Sequence, residues 1–96
     1  MLNKLTPTHV TSDSGFEVYS GPMHVWVYNE GNMHIHITRE AARLGNRWGE
    51  YVFFSEIPDH WLPPHNWVAI PSEKRDEIEE NIKQALQALN VEFRAA

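Results

Sequence analysis

Hydrophobic and polar positions alternate with a period of two through much of the chain and change to a helical period near its C-terminus. Phe16-Glu-Val-Tyr-Ser20 is a short alternating run punctuated by Gly21-Pro22. Residues 23–28 and 33–38 alternate in the manner of half-buried strands, and the aromatic-rich run from Trp48 to Ser55 predicts another. From residue 72 the pattern differs. Ile78, Ile82, Ala85, Leu86 and Leu89 recur at i, i+4, i+7, i+8 and i+11, one apolar stripe on a helix over 72–90. Ser72 suits its N-cap, Asn90 its close, and Glu73, Asp76 and Glu77 place negative charge where the helix dipole is positive.

The intervening segments give weaker signals. Residues 1–15 are polar, contain Pro7 and end in Thr11-Ser-Asp-Ser-Gly15, which predicts a loose N-terminal arm ahead of a single α+β domain over 16–96. Ala41, Ala42 and Leu44 suit a helical turn closed by Gly45-Asn46, with Arg39, Arg43 and Arg47 along one ridge. Pro58, Pro63, Pro64 and Pro71 deny residues 56–71 a continuous helix or central strand, so this stretch reads as an extended crossing segment with Trp61, Leu62, Trp67 and Ile70 to bury. Val91-Glu-Phe93 suits a short final strand. Strands first and one long helix last predict an α+β fold: a single antiparallel sheet of three to five strands with the helix across one face.

Loop length decides which side chains share a face of the 23–38 hairpin. A two-residue loop at Glu30-Gly31 mixes apolar and polar groups on both faces. A three-residue loop, Asn29-Glu30-Gly31, ends in a left-handed residue that suits glycine. It sets Val27 opposite Met33, Val25 opposite Ile35 and Met23 opposite Ile37, an apolar face for the helix to cover. His24, Trp26, Tyr28, His34 and His36 then share the uncovered face. These five are the expected partner-binding residues, an amphipathic aromatic patch of the kind enriched at protein interfaces.

Composition narrows the function. The chain has 96 residues, 42% hydrophobic and 22% charged, in the globular range. No apolar run reaches the roughly 18 residues that span a bilayer, and the N-terminal residues lack a signal-type apolar stretch, so a cytoplasmic protein with no membrane partner is expected. Eight Lys and Arg against thirteen Asp and Glu give a net charge of −5, adverse to phosphate-dominated binding. With no cysteine, disulfides, thiolate catalysis and Cys-based zinc sites are excluded. Three of the six histidines, gathered by the expected register, have the donors for zinc or copper, but no carboxylate lies among them to fix a geometry. His34-x-His36-x-x-x-Glu40 resembles the ligand run of cupin barrels, yet the preceding glycine and the second motif are missing. No Gly-x-Ser-x-Gly elbow or phosphate-cradling glycine loop occurs, and the paired carboxylates of the helix read as its wet face. No enzyme, metal or cofactor is therefore expected.

Tyr51-Val-Phe-Phe-Ser-Glu-Ile57, Trp61-Leu-Pro-Pro-His65 and Ile70-Pro-Ser-Glu-Lys-Arg75, followed by Ile78, Ile82 and Leu86, resemble the predicted immunity proteins of bacterial polymorphic toxin systems. The likeness covers roughly residues 50–93. It implies a non-enzymatic protein-binding module that neutralises a cognate toxin by stoichiometric binding, over a surface of about 800 Å² per partner. An acidic chain suits a basic toxin. The alternative is a PC4-like single-stranded nucleic-acid-binding protein, which the strands-then-helix order resembles in outline, using Arg39, Arg43 and Arg47 with stacking aromatics. An exposed edge strand leaves a homodimer open.

Overall fold

The alternating residues of the first half build an antiparallel meander of six strands in the computed structural model, which describes residues 1–96: β1 (Leu2–Thr6), β2 (His9–Ser12), β3 (Phe16–Gly21), β4 (Val25–Glu30), β5 (Met33–Leu44) and β6 (Arg47–Val52). A 3-10 turn at Phe54–Glu56, the proline-rich crossing segment and the helix α1 (Ser72–Ala88) follow, and β7 (Phe93–Ala95) adds to β6 in parallel. The seven strands lie in sequence order in one mixed sheet, curled into a half-barrel. This corrects the expected antiparallel sheet of three to five strands.

Three segments account for the difference. The predicted loose arm supplies β1 and β2, because Val10 pairs with Val18 in the core while Asn3 donates to Asp13 at 3.0 Å across the hairpin. The predicted helical turn is instead the second half of β5, which runs on for 12 residues to a two-residue loop at Gly45-Asn46. Cross-strand pairing with β6 overrides the high helix propensity of Ala41 and Ala42, as tertiary context routinely does. Finally, the chain leaves α1 in the direction of β6, so the last strand joins in parallel rather than antiparallel fashion.

The β4–β5 register also departs from expectation. Glu30 pairs with Met33, so the loop is Gly31-Asn32, and the left-handed φ of +64° falls on Gly31, as a type II′ turn requires. Shortening the loop by one residue exchanges the faces of β4 relative to β5. Trp26 now pairs with Ile37 and Tyr28 with Ile35, and all four are buried. Trp26 and Tyr28 together exclude more apolar surface than Val25 and Val27 would, so burial favours this pairing.

The helix stripe matches its prediction. Ile78, Ile82, Ala85, Leu86 and Leu89 join Trp26, Tyr28, Ile35, Ile37 and Val52 in one core cluster in the hollow of the sheet. Each fully buried Ile or Leu there contributes about 1.5–3 kcal/mol. Pro71, not Ser72, occupies the cap position, and no side chain caps the helix. At the other end Asn90 is left-handed, and Val91 N donates to Leu86 O and Asn90 N to Gln87 O, both at 3.0 Å, the pattern of a Schellman motif. The crossing segment is packed: Ile57, Trp61 and Ile70 are buried, and Leu62 N donates to His34 O at 3.0 Å along β5. Trp67, expected to be buried, is 79% exposed. No helix is long and apolar enough to cross a membrane.

Candidate functional site on the outer face of the sheet

Curling commits one face of the sheet to α1 and leaves the other without a covering layer. Alternation decides what stands there. Because Val10, Phe16, Val18, Trp26, Tyr28, Ile35 and Ile37 point into the core, their strand neighbours point out. Two cross-strand rows result: His9, Tyr19, Val27 and His36 in one, and Thr11, Glu17, Asn29 and His34 in the other.

The rows are fastened to each other. Glu17 accepts from Asn29 Nδ2 at 2.9 Å through one carboxylate oxygen and meets His9 Nε2 at 2.8 Å through the other. The Asn29 amide and then His9 hold the Glu17 carboxyl below the usual carboxylate range, outweighing the opposing effect of burial. His9 stands edge-on to Tyr19, ring centroids 5.4 Å apart, and His34 and His36 lie 5.7 Å apart. Burial of its charge, and secondarily the charge of His34, lowers the pKa of His36. Val27, on this face and outside the inner core cluster, is nevertheless 3% exposed, because its neighbours close over it. A shallow depression of about 310 Å³ opens between Tyr19, Asn29, Asn32, His34 and His36. The surface offers ring edges, amide and imidazole hydrogen bonds and one negative charge, held in place by bonds among themselves.

The five predicted partner-binding residues do not come together. His34 and His36 stand on the outer face, but Trp26 and Tyr28 are in the core, and His24 lies in the β3–β4 turn with its carbonyl accepting from Arg39 N at 3.0 Å. His36 faces Val27, not His24. The imidazole triad considered for a metal is therefore not assembled, and no group of three His, Asp or Glu side chains is placed to hold an ion. His9, Glu17, Tyr19 and Asn29 were missed, although the apolar pair Phe16 and Val18 already implied that Glu17 and Tyr19 face the other way.

The buried aromatics carry polar heads that are met within the fold. Tyr28 Oη donates to Glu30 at 2.7 Å and accepts from Asn81 at 3.0 Å, tying β4 to α1. Burial and the Glu30 carboxylate push the Tyr28 phenol far above its usual range. Lys74 pairs with Glu30 at 2.6 Å. Trp26 Nε1 donates to Glu50, and the Arg39 guanidinium lies 4.2 Å from the Trp26 ring centroid while donating to Ser20. The arginine ridge dissolves accordingly: Arg39 is held by Trp26, Ser20 and Glu50, Arg47 pairs with Glu92 at 3.0 Å, and Arg43 lies over Trp48. No family model, curated protein or solved structure matches the chain.

Proposed function

We propose that this protein is a small non-enzymatic binding module that holds a partner protein against the outer face of its sheet, and that, in keeping with the resemblance of residues 50–93, it acts as an immunity protein on a cognate toxin. The observation that carries the reading is the pre-ordered face itself. Glu17 ties His9 to Asn29, so side chains that would lose freedom on docking are already held. Aromatic and amphipathic groups, enriched where proteins meet, surround Val27 without covering Tyr19 or His36. A net charge of −5 selects a basic partner and draws it in at low ionic strength.

The single-strand nucleic-acid reading loses the arginine ridge that motivated it, since carboxylates hold two of the three guanidinium groups. Titration calorimetry with the protein encoded beside this one tests the proposal. The double variant Tyr19→Ala, His36→Ala is expected to weaken binding at least about tenfold while the melting transition stays close to that of the parent. No complex with the parent protein, or equal affinity for the variant, rejects the reading.

A further inference from the structure

We infer that the second half of β5 is a strand acceptor, and that it takes an extended segment of another polypeptide carrying an acidic side chain. β5 runs for 12 residues between two neighbours, neither of which follows it throughout. β4 pairs with residues 33–38 only and β6 with residues 39–44 only, on the opposite edge. Along residues 33–38 the edge away from β4 is closed by Leu62 N on His34 O and Phe53 N on Thr38 O. Along residues 39–44 the edge on the β4 side has no such closure. Its last bond is Arg39 N to His24 O, and by strand alternation the N–H and C=O groups of Ala41 and Arg43 point the same way, past the end of β4.

The chain enters β4 at this point from a turn that side-chain-bearing residues seldom adopt. Met23 and His24 both have left-handed φ, +57° and +59°, and Met23 is 90% exposed. Between that turn and Thr38, Arg39, Glu40 and Ala41 lies a cleft of about 520 Å³. The result is a step in the sheet where one strand is missing, about 17 Å long, room for five extended residues. Unpaired edges of this kind are templates for strand addition, with the main chain supplying affinity and alternate side chains supplying selectivity.

Charge selects the occupant. Between residues 39 and 50 three arginines stand against two glutamates, although the whole chain is acidic. Arg39 and Arg47 have carboxylate partners, whereas Arg43 has none and lies over the exposed ring of Trp48, its centroid 5.4 Å away. An acidic side chain laid beside Arg43 gains a charge-assisted hydrogen bond, while Ala42 and Leu44 receive an apolar residue on the other face. A second copy is the poorer fit, because antiparallel self-pairing centred on Ala41 sets Arg39 against Arg43 of the other chain.

This inference does not depend on the outer face. Its test uses a labelled hexapeptide of alternating Glu and Val, with alternating Lys and Val as control, read by fluorescence anisotropy and by amide hydrogen exchange. The acidic peptide is expected to bind, to slow exchange at Ala41 and Arg43 at least about tenfold, and to lose affinity with Arg43→Glu, which instead accepts the Lys peptide. The Tyr19→Ala, His36→Ala variant should bind it as the parent does. Failure of the acidic peptide to bind at millimolar concentration overturns the inference. So do protection of the two amides before peptide is added, or sedimentation as a dimer that Arg43→Glu dissociates.

Discussion

The two hairpins that share β5 are closed by the same dipeptide and end in opposite surroundings. Gly31-Asn32 joins β4 to β5 and Gly45-Asn46 joins β5 to β6, each with the left-handed φ on glycine, +64° and +69°. The first hairpin buries Trp26, 1% exposed, in one cluster with the apolar stripe of α1, whereas the second leaves Trp48 69% exposed. Turn chemistry sets the register in both cases, but only the first has a layer to receive the face so chosen. A tryptophan on one hairpin therefore holds the fold together, and its counterpart on the other is free for contact.

Truncating the two tryptophans gives the largest contrast. Trp26→Ala is expected to cost about 3–5 kcal/mol in denaturant unfolding, since it opens a cavity beneath α1 and leaves Glu50 and Arg39 without their ring partner. Trp48→Ala should change stability by less than about 0.5 kcal/mol. Equal costs would mean that the second hairpin is packed as tightly as the first. A small cost at Trp26 would put it on a surface and restore the three-residue loop.

The polar ties of the two hairpins differ in the same sense. Tyr28→Phe removes the hydroxyl between Glu30 and Asn81 and should cost about 1–3 kcal/mol by the same measurement, because both partners are part-buried. Arg47→Ala, which breaks the exposed pair with Glu92, should cost roughly 0–1 kcal/mol. An Arg47 cost that matched that of Tyr28 would show the outer pair to be better shielded than its exposure indicates.

Why one face of the first hairpin was misread follows from its residues. Both parities of β4 are apolar, Val25 and Val27 on one side and Trp26 and Tyr28 on the other, so periodicity gives no choice and loop length decides. The Gly-Asn dipeptide that decides it occurs twice, and reading it as a two-residue loop locates both hairpins and removes the false helical turn. The α1 stripe was legible because a helix of 17 residues repeats its apolar face several times, and only one face of it is apolar. β1 and β2 were illegible for the opposite reason: Leu2 and Val10 are few, and their pairing is stabilised by residues elsewhere in the sheet. Of the site, His34 and His36 were legible as outward, while Trp26 and Tyr28 were lost with the register.

The turns themselves supply a smaller effect. Nothing lies within 4 Å of a Cβ added at Gly31 or Gly45, so Gly31→Ala and Gly45→Ala carry only the backbone cost of left-handed φ, roughly 1–2 kcal/mol each. Thermal unfolding checks whether the two costs agree. A Gly45→Ala variant that melts with the parent would mean that the second hairpin opens before the rest of the molecule does, and the free edge of β5 with it.

Proton binding gives the smallest effect and separates the two halves of β5. His36 lies in the half paired with β4, and its pKa is held below the usual 6.5, chiefly by burial and then by His34. The unfolded chain therefore takes up this proton more readily than the folded one. Stability from His36 is complete above pH 6.5 and declines as pH falls through the window beneath that value. Glu17, also depressed, acts with the same sign, its contribution declining as pH falls through the window beneath its ordinary 4.5. Between about pH 7.5 and 5.5 the Tm of the parent is expected to fall by a degree or so more than that of His36→Asn. Parallel curves would show that His36 meets water as freely in the folded chain as in the unfolded one, leaving the outer face without the packing around Val27 that orders it.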